Sequence, residues 1–215
     1  QEFLKERNKG RLDDSYKAKL AFEAFQHTAD YDSAISNWIS KEKNLQSSKY
    51  IESYSLIKTL RYGENPHQKA FWYGLTNVGW KSAEQLQGKE LSYNNLLDLE
   101  SALSTVLEFG YEEKDILTTN KYASVILKHN NPCGASIGNS ASQAFLNALE
   151  CDSVSAFGGI VAFNSNVDSE TAIHLKDIFL ECVVAPSFDK EALEILKVKK
   201  NLRILKFSKD QLPKK

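Results

Sequence analysis

The chain has 215 residues, 42% hydrophobic and 26% charged, with 27 Lys+Arg against 28 Asp+Glu. Those proportions fit a soluble globular protein with one sizeable core, or a core plus part of a second, and a net charge of −1 gives no bulk attraction to nucleic acid or an anionic membrane. No apolar run approaches a membrane span and the amino end is charged rather than signal-like, so a cytoplasmic location is expected.

Three cysteines, Cys133, Cys151 and Cys182, are odd in number and far apart. They make neither a disulfide framework nor a Cys-x-x-Cys clip, and reduced thiols are expected. The chain contains no methionine and begins at Gln1. A piece of a longer polypeptide is expected, with cleavage at the amino end as the alternative.

From Ser15 to Thr28, Ala18, Ala21, Phe22 and Phe25 recur at helical spacing behind the capping groups Asp13, Asp14 and Ser15. Asp32 is expected to cap a second, short helix carrying Ile35, Trp38 and Ile39. Residues Lys41 to Ser53 are polar and Ser-rich with little apolar periodicity, which marks a boundary. Beyond it the pattern alternates. Strands are expected at Leu56 to Leu60 and Ala70 to Tyr73, then a helix with Leu96, Leu99, Leu103, Val106 and Leu107 on one face and Gly110 as its stop. Next come a strand at Ala123 to Leu127, a polar loop, a helix at Ala141 to Leu149 and a strand at Ala156 to Phe163 interrupted by Gly158-Gly159. Helix Ser169 to Leu180, strand Cys182 to Ala185, helix Lys190 to Leu196 and strand Leu202 to Phe207 close the series. Such alternation implies a layered α/β fold, a sheet with helices on both faces and Ala123 to Leu127 at its centre, preceded by a short helical segment.

Chemistry concentrates in four places. Lys128-His129-Asn130-Asn131-Pro132-Cys133-Gly134 puts an ammonium and an imidazole at the end of a buried strand, where open α/β sheets bind ligands outside the strand carboxyl ends. A strand end that simply reaches water is the plain alternative. Arg61-Tyr62-Gly63-Glu64-Asn65-Pro66-His67-Gln68 is either a solvated Gly/Pro turn or an anion-capturing one, since a guanidinium fork matches phosphate and carboxylate oxygens. Asn94-Asn95 precedes a helix, where capping accounts for it and a ligand contact at the helix amino end is the alternative. Gly158 and Gly159 either relieve crowding in a strand or let a ligand approach the backbone.

Taken together these segments resemble one family, the bifunctional purine biosynthesis proteins that join an IMP cyclohydrolase domain to an AICAR transformylase domain. The resemblance rests on His27-Thr28-Ala29-Asp30-Tyr31-Asp32, Leu60 to Gln68, Leu91 to Asp98, Lys128 to Gly134, Ser155 to Ala162, and Ala185-Pro186 with Lys199-Lys200-Asn201-Leu202. It covers the chain from about Arg11 to Phe207. It implies that residues 1–40 are closing helices of the cyclohydrolase domain, 41–53 a linker, and 54–215 the first half of the transformylase domain, with a cytidine-deaminase-like fold. It further implies transfer of a formyl group from 10-formyltetrahydrofolate to the 5-amino group of AICAR, with closure to IMP in the other domain, in a homodimer whose transformylase sites span the subunit interface.

By that resemblance His129 accepts the amine proton and Lys128 stabilises the developing oxyanion or assists departure of the folate nitrogen. Arg61 and Tyr62 hold the nucleotide. Asn95, Gly158 and Glu181 fall at positions similar to substrate contacts, although an aspartate would match the family more closely at Glu181, and His67, inside the turn motif, contacts substrate or orients Arg61. No metal is needed, and the chain alone is expected to be inactive or feeble. Two other classes stand beside this one. A zinc nucleobase deaminase needs Pro-Cys-x-x-Cys, and Ser136 stands where its second cysteine would be. A non-catalytic fragment that binds nucleotide or dimerises is the other.

Overall fold

The structure, a computed structural model, describes residues 5, 7, 9–10, 13–49, 51–74, 79–113, 116–117 and 121–212. The chain divides into two compact units, Gln1–Tyr54 and Ser55–Lys215.

The first unit is dominated by one 29-residue helix, α1 (Asp14–Glu42), none of whose residues is buried. Asp13 caps it, its side chain accepting from the Tyr16 N–H at 2.8 Å. The expected break at Asp32 does not occur. No glycine or proline interrupts Asp14–Glu42, and a capping side chain cannot start a helix where the preceding one has not stopped. The polar segment after α1 runs back along it. Asn37 Nδ2 donates to the Ile51 carbonyl at 3.1 Å, and the Ser53 hydroxyl to Asp30 Oδ1 at 2.6 Å.

The second unit holds a β-ribbon, β1 (Ser55–Leu60) antiparallel to β2 (Ala70–Gly74), and a six-stranded mixed sheet. The sheet contains β3 (Glu84–Gln87), β6 (Tyr122–Lys128), β7 (Asn131–Gly138), β8 (Gly159–Phe163), β9 (Leu180–Ala185) and β10 (Arg203–Lys206), in the order β3-β10-β9-β8-β6-β7. A short pair, β4 (Glu112–Glu113) and β5 (Ile116–Leu117), stands apart. Strands β10, β9 and β8 are parallel, whereas β6 runs against β8 and β7 against β6. The helices are α2 (Tyr93–Leu107), α3 (Ala141–Cys151), α4 (Ser169–Asp177) and α5 (Lys190–Leu196).

Strand alternation sorts the side chains into two cores. Ile126, Val161, Phe163, Val183 and Ile204 face α3, α4 and α5, meeting Phe145, Leu175 and Leu196. Val125, Leu127, Ile160, Ala162, Val184 and Leu205 face α2, meeting Leu99, Leu103 and Val106. Each large side chain buried this way contributes about 1.5–3 kcal/mol. Helices therefore cover both faces, as the α/β alternation implies. The centre of the sheet is β8 and β9, not Ala123 to Leu127, because β8, β9, β10 and β3 all line up on one side of β6 and only β7, a hairpin strand unseen in the sequence pattern, lies on the other.

β7 exists because two glycines let α3 lie against it. A Cβ on Gly134 would fall 1.9 Å from the Ala148 carbonyl oxygen, and one on Gly138 would fall 2.7 Å from the Ala144 nitrogen. We expect Gly134→Ala to lower unfolding free energy by about 1–3 kcal/mol, the usual range for overpacking. Ala135→Ser, on the exposed face of the same strand, should change it by less than about 0.5 kcal/mol. Urea denaturation of the two variants compares them directly, and equal midpoints would contradict this packing.

Candidate active site

β6 and β7 are joined by His129 and Asn130 alone, with Lys128 paired to Asn131 across the turn. Both turn residues have positive φ, 52° and 58°, as the tight hairpin reversal of type I′ requires. The segment expected to be a loop is thus a two-residue turn. Because β6 is antiparallel to β8, its carboxyl end meets the amino ends of β8 and β9. Leu127 pairs with Ile160, and Gly159 with Leu180. Lys128 and His129 accordingly sit at the amino end of the parallel trio, opposite to the side that the carboxyl-end rule for parallel sheets would choose.

Four other elements end there. Lys128 Nζ donates to the Phe157 carbonyl at 2.8 Å, which ties it to the turn before β8, where Gly158 has φ +77° and donates its N–H to the Phe179 carbonyl at 2.7 Å. The expected interruption at Gly158-Gly159 is therefore the start of β8 rather than a break within it. Glu181, at the head of β9, receives Arg203 Nη1 at 2.8 Å and Asn95 Nδ2 at 3.5 Å. Arg203, whose side chain is only 8% exposed, also donates through Nε to the Glu90 carbonyl at 3.0 Å. Asn95 caps α2 reciprocally with Ser92 and is itself buried. Capping thus accounts for Asn95, and its amide reaches Glu181 as well.

The Arg61 turn attaches to the same end of α2. Asn94 Nδ2 donates to the Glu64 carbonyl at 3.4 Å. The Glu90 carboxylate bonds Lys58 Nζ at 2.7 Å, and that bond and charge, with a weaker pull from Arg61, hold its carboxyl below the usual range. The Arg61 guanidinium carbon lies 5.4 Å from the Tyr62 ring centroid, a cation–π stack. His67 is exposed on this turn, and no bond among the described residues ties it to the cluster. So Lys128, His129, Asn95, Gly158 and Glu181 share one end of the sheet, Arg61 and Tyr62 reach it through Asn94, and His67 stands apart.

An open pocket of about 410 Å³ lies beside the turn, lined by Lys128, His129, Asn131, Pro132, Cys133, Asp152 and Ser155. Pockets of about 420 and 510 Å³ occupy the carboxyl ends of β8 and β9, around Glu112, Asn166 and Ser187. Volume does not choose between the two ends. The convergence of cations, amides and a histidine does. Among the described residues no group of three His, Cys, Asp or Glu side chains is disposed to hold a metal ion. Likewise, no helix among them is long and apolar enough to cross a membrane.

Two residues that the sequence reading does not single out also reach this end, Arg203 and Asp98, the latter accepting the His129 and Asn130 N–H groups. The signal for the first was a charge between Leu202 and Ile204, and for the second a carboxylate between Leu97 and Leu99, one helical turn after Asn95.

The family model described as AICARFT/IMPCHase bienzyme matches residues 1–215. The chain belongs to that family. It is 87% identical over 215 residues to the bifunctional purine biosynthesis protein PurH of Prochlorococcus marinus strain MED4, covering all of this chain and 42% of that protein. Against PurH of Prochlorococcus marinus strain MIT 9211 it is 58% identical over 206 residues, 96% of this chain and 40% of the relative. The chain thus spans about two fifths of the length of the curated relatives it matches. Among solved structures, Acinetobacter baumannii RibD (form 2) is 19% identical over 49% of this chain and 33% of its own, with a TM-score of 0.35, too slight a likeness to bear on fold or chemistry.

The pocket's electrostatics are open to test through Cys133. Burial and the Asp152 charge push its thiol pKa up, and Lys128 opposes them. Removing the carboxylate in Asp152→Asn should lower that pKa and raise the thiolate fraction at pH 8, so iodoacetamide should label Cys133 faster. Lys128→Met should slow the labelling. Peptide mass spectrometry follows Cys133 separately from exposed Cys151 and buried Cys182. Unchanged rates in both variants would sink this account of the pocket.

Proposed function

We propose that this chain supplies one half of an AICAR transformylase site and that residues 1–40 are the closing helices of an IMP cyclohydrolase domain, joined by residues 41–53 to a first transformylase half at 54–215. The observation that carries the proposal is the turn that holds an ammonium and an imidazole side by side, at the amino end of the parallel strands, in a chain matched over its whole length by the bienzyme family.

The reaction asks two things of a protein. The 5-amino group of AICAR is a poor nucleophile because its electrons are drawn toward the carboxamide, so the proton it sheds on attack must be accepted. The formyl carbon gains a C–N bond to that amine and loses its bond to the folate N10, passing through a tetrahedral oxyanion. His129 takes the proton, and Lys128 stabilises the oxyanion or assists the departing N10. Arg61 and Tyr62 hold the nucleotide, Arg61 at its anionic end. Asn95, Gly158 and Glu181 contact substrate, with the Glu181 carboxylate held by Arg203. His67, exposed on the Arg61 turn, contacts substrate or orients Arg61. The formyl donor is 10-formyltetrahydrofolate, the assembly is a homodimer with sites shared between subunits, and the setting is cytoplasmic. Closure of formyl-AICAR to IMP belongs to residues outside this chain.

The test is to exchange the corresponding segment of the Prochlorococcus marinus MED4 relative for this chain and measure both half-reactions. In that full-length protein His129→Ala should lower transformylase kcat by about 10²- to 10⁴-fold, the usual range for a general base, with much less effect on AICAR affinity. Lys128→Ala should impair both rate and binding, and cyclohydrolase activity should hold in either variant. Near-normal transformylase turnover in the His129→Ala protein would remove the base from this scheme. The 215-residue chain alone should formylate AICAR feebly or not at all.

A further inference from the structure

The His129 turn is held from outside the hairpin. Asp98, on the second turn of α2, accepts the Asn130 N–H through Oδ1 at 2.8 Å and the His129 N–H through Oδ2 at 3.3 Å. One carboxylate therefore takes both main-chain donors of the turn. The Asn130 amide satisfies both its ends with its nitrogen turned toward α2, where its two N–H groups have Asp98 Oδ1 at 3.3 Å, the Leu97 carbonyl at 3.2 Å and Ser101 Oγ at 2.9 Å within reach. On the other side Asn131 Nδ2 donates to the His129 carbonyl at 2.8 Å. Side chains thus meet the His129 and Asn130 N–H groups and the His129 carbonyl, and Asp98 takes both N–H groups.

We propose that Asp98 is a positioning residue for His129: its carboxylate holds the turn in left-handed backbone and so fixes where the imidazole is presented. The argument is one of backbone preference. Neither His129 nor Asn130 is a glycine, yet both have φ above +50°. Histidine and asparagine enter that region more readily than most residues but do not rest there by default. Both N–H groups point at one carboxylate in this turn, as they do not in extended backbone, so two charge-assisted bonds hold the reversal against an extended alternative. Asp98 is half-buried on the helix that also carries Asn95, so α2 sets two members of the site from one rigid element. Asp98 acts on the chain rather than on substrate, and that separates it from His129 and Lys128.

For its kinetic consequence this inference rests on the proposed transformylase reaction, so the experiment has one arm that needs no activity. In the 215-residue chain, Asp98→Ala should speed amide hydrogen exchange at His129 and Asn130 by about 10-fold or more while β6 and β8 amides keep their protection. In the full-length exchange protein, Asp98→Ala should lower transformylase kcat by about 10²-fold, the scale of an ångström-sized misplacement, with AICAR KM little changed. The deciding variant is Asp98→Ala with Asn130→Gly. Glycine is favoured at the second position of this turn type, so it should restore the reversal without the carboxylate and return kcat to within about threefold of the parent.

Three results would overturn the assignment: unchanged exchange at both turn amides in Asp98→Ala, a near-normal kcat in that variant, or a double variant with the turn restored and kcat still low. The last would make Asp98 a direct participant in the chemistry. An inactive parent exchange protein would instead overturn the proposed reaction, and the exchange measurement would then decide the positioning role by itself.

Discussion

The chain reverses from β6 into β7 within two residues, and the position of Lys128 and His129 at the amino end of the parallel strands follows from that reversal. A longer loop would let Lys128 and His129 reach solvent independently of the sheet. The two-residue turn leaves no such freedom. Lys128 is still a strand residue, paired with Asn131, and its ammonium is led onto the Phe157 carbonyl. The carboxyl end of β6 is thereby fixed against the turn before β8, and Glu181 and Arg203 enter from the heads of the next two strands.

The antiparallel sense of β6 is what brings these groups to one end. Had β6 run parallel to β8, its last residues would lie near Asn164 and Asn166. That end of the sheet is occupied by a different kind of structure. Buried Asn164 there receives the Ala123 N–H and donates to the Phe109 and Lys121 carbonyls. At that end Asn164 satisfies main-chain groups beneath the pockets around Glu112 and Ser187, whereas the other end leaves Lys128, His129 and Asn131 facing an open depression.

Much of this was legible in the residues. Helices α2, α3 and α5 and strands β1, β2, β6 and β9 lie within a few residues of where the sequence pattern puts them, β6 and the helices through clear apolar repeats and β1 despite a weak one. What escaped notice did so for physical reasons. Asn131-Pro132-Cys133-Gly134 looks like a loop because proline and glycine weaken strands. An edge position tolerates the missing N–H of Pro132, and close packing of α3 demands Gly134. Glu84–Gln87 carries no apolar alternation, since a short edge strand beside β10 needs little. Asp32 looked like a cap because type and neighbours suited one, whereas continuity of hydrogen bonding through α1 decided otherwise. At the candidate site the fold brings to one end Lys128, His129, Asn95, Gly158 and Glu181, which the resemblance names, and adds Asp98 and Arg203. A lone charge between apolar neighbours marks those two in the sequence, but their partners are distant in the chain and are set by the fold.

The atoms that exclude a side chain at positions 134 and 138 belong to the main chain of α3, at Ala148 and Ala144. That has a consequence for how the sequence can drift. When two side chains collide, a smaller residue on the partner restores the fit, and the pair can wander together through evolution. A carbonyl oxygen and an amide nitrogen cannot be trimmed by any substitution. No partner mutation in α3 can therefore compensate for the loss of either glycine, and the hairpin that carries Lys128 and His129 is anchored at positions with no neutral path away from them.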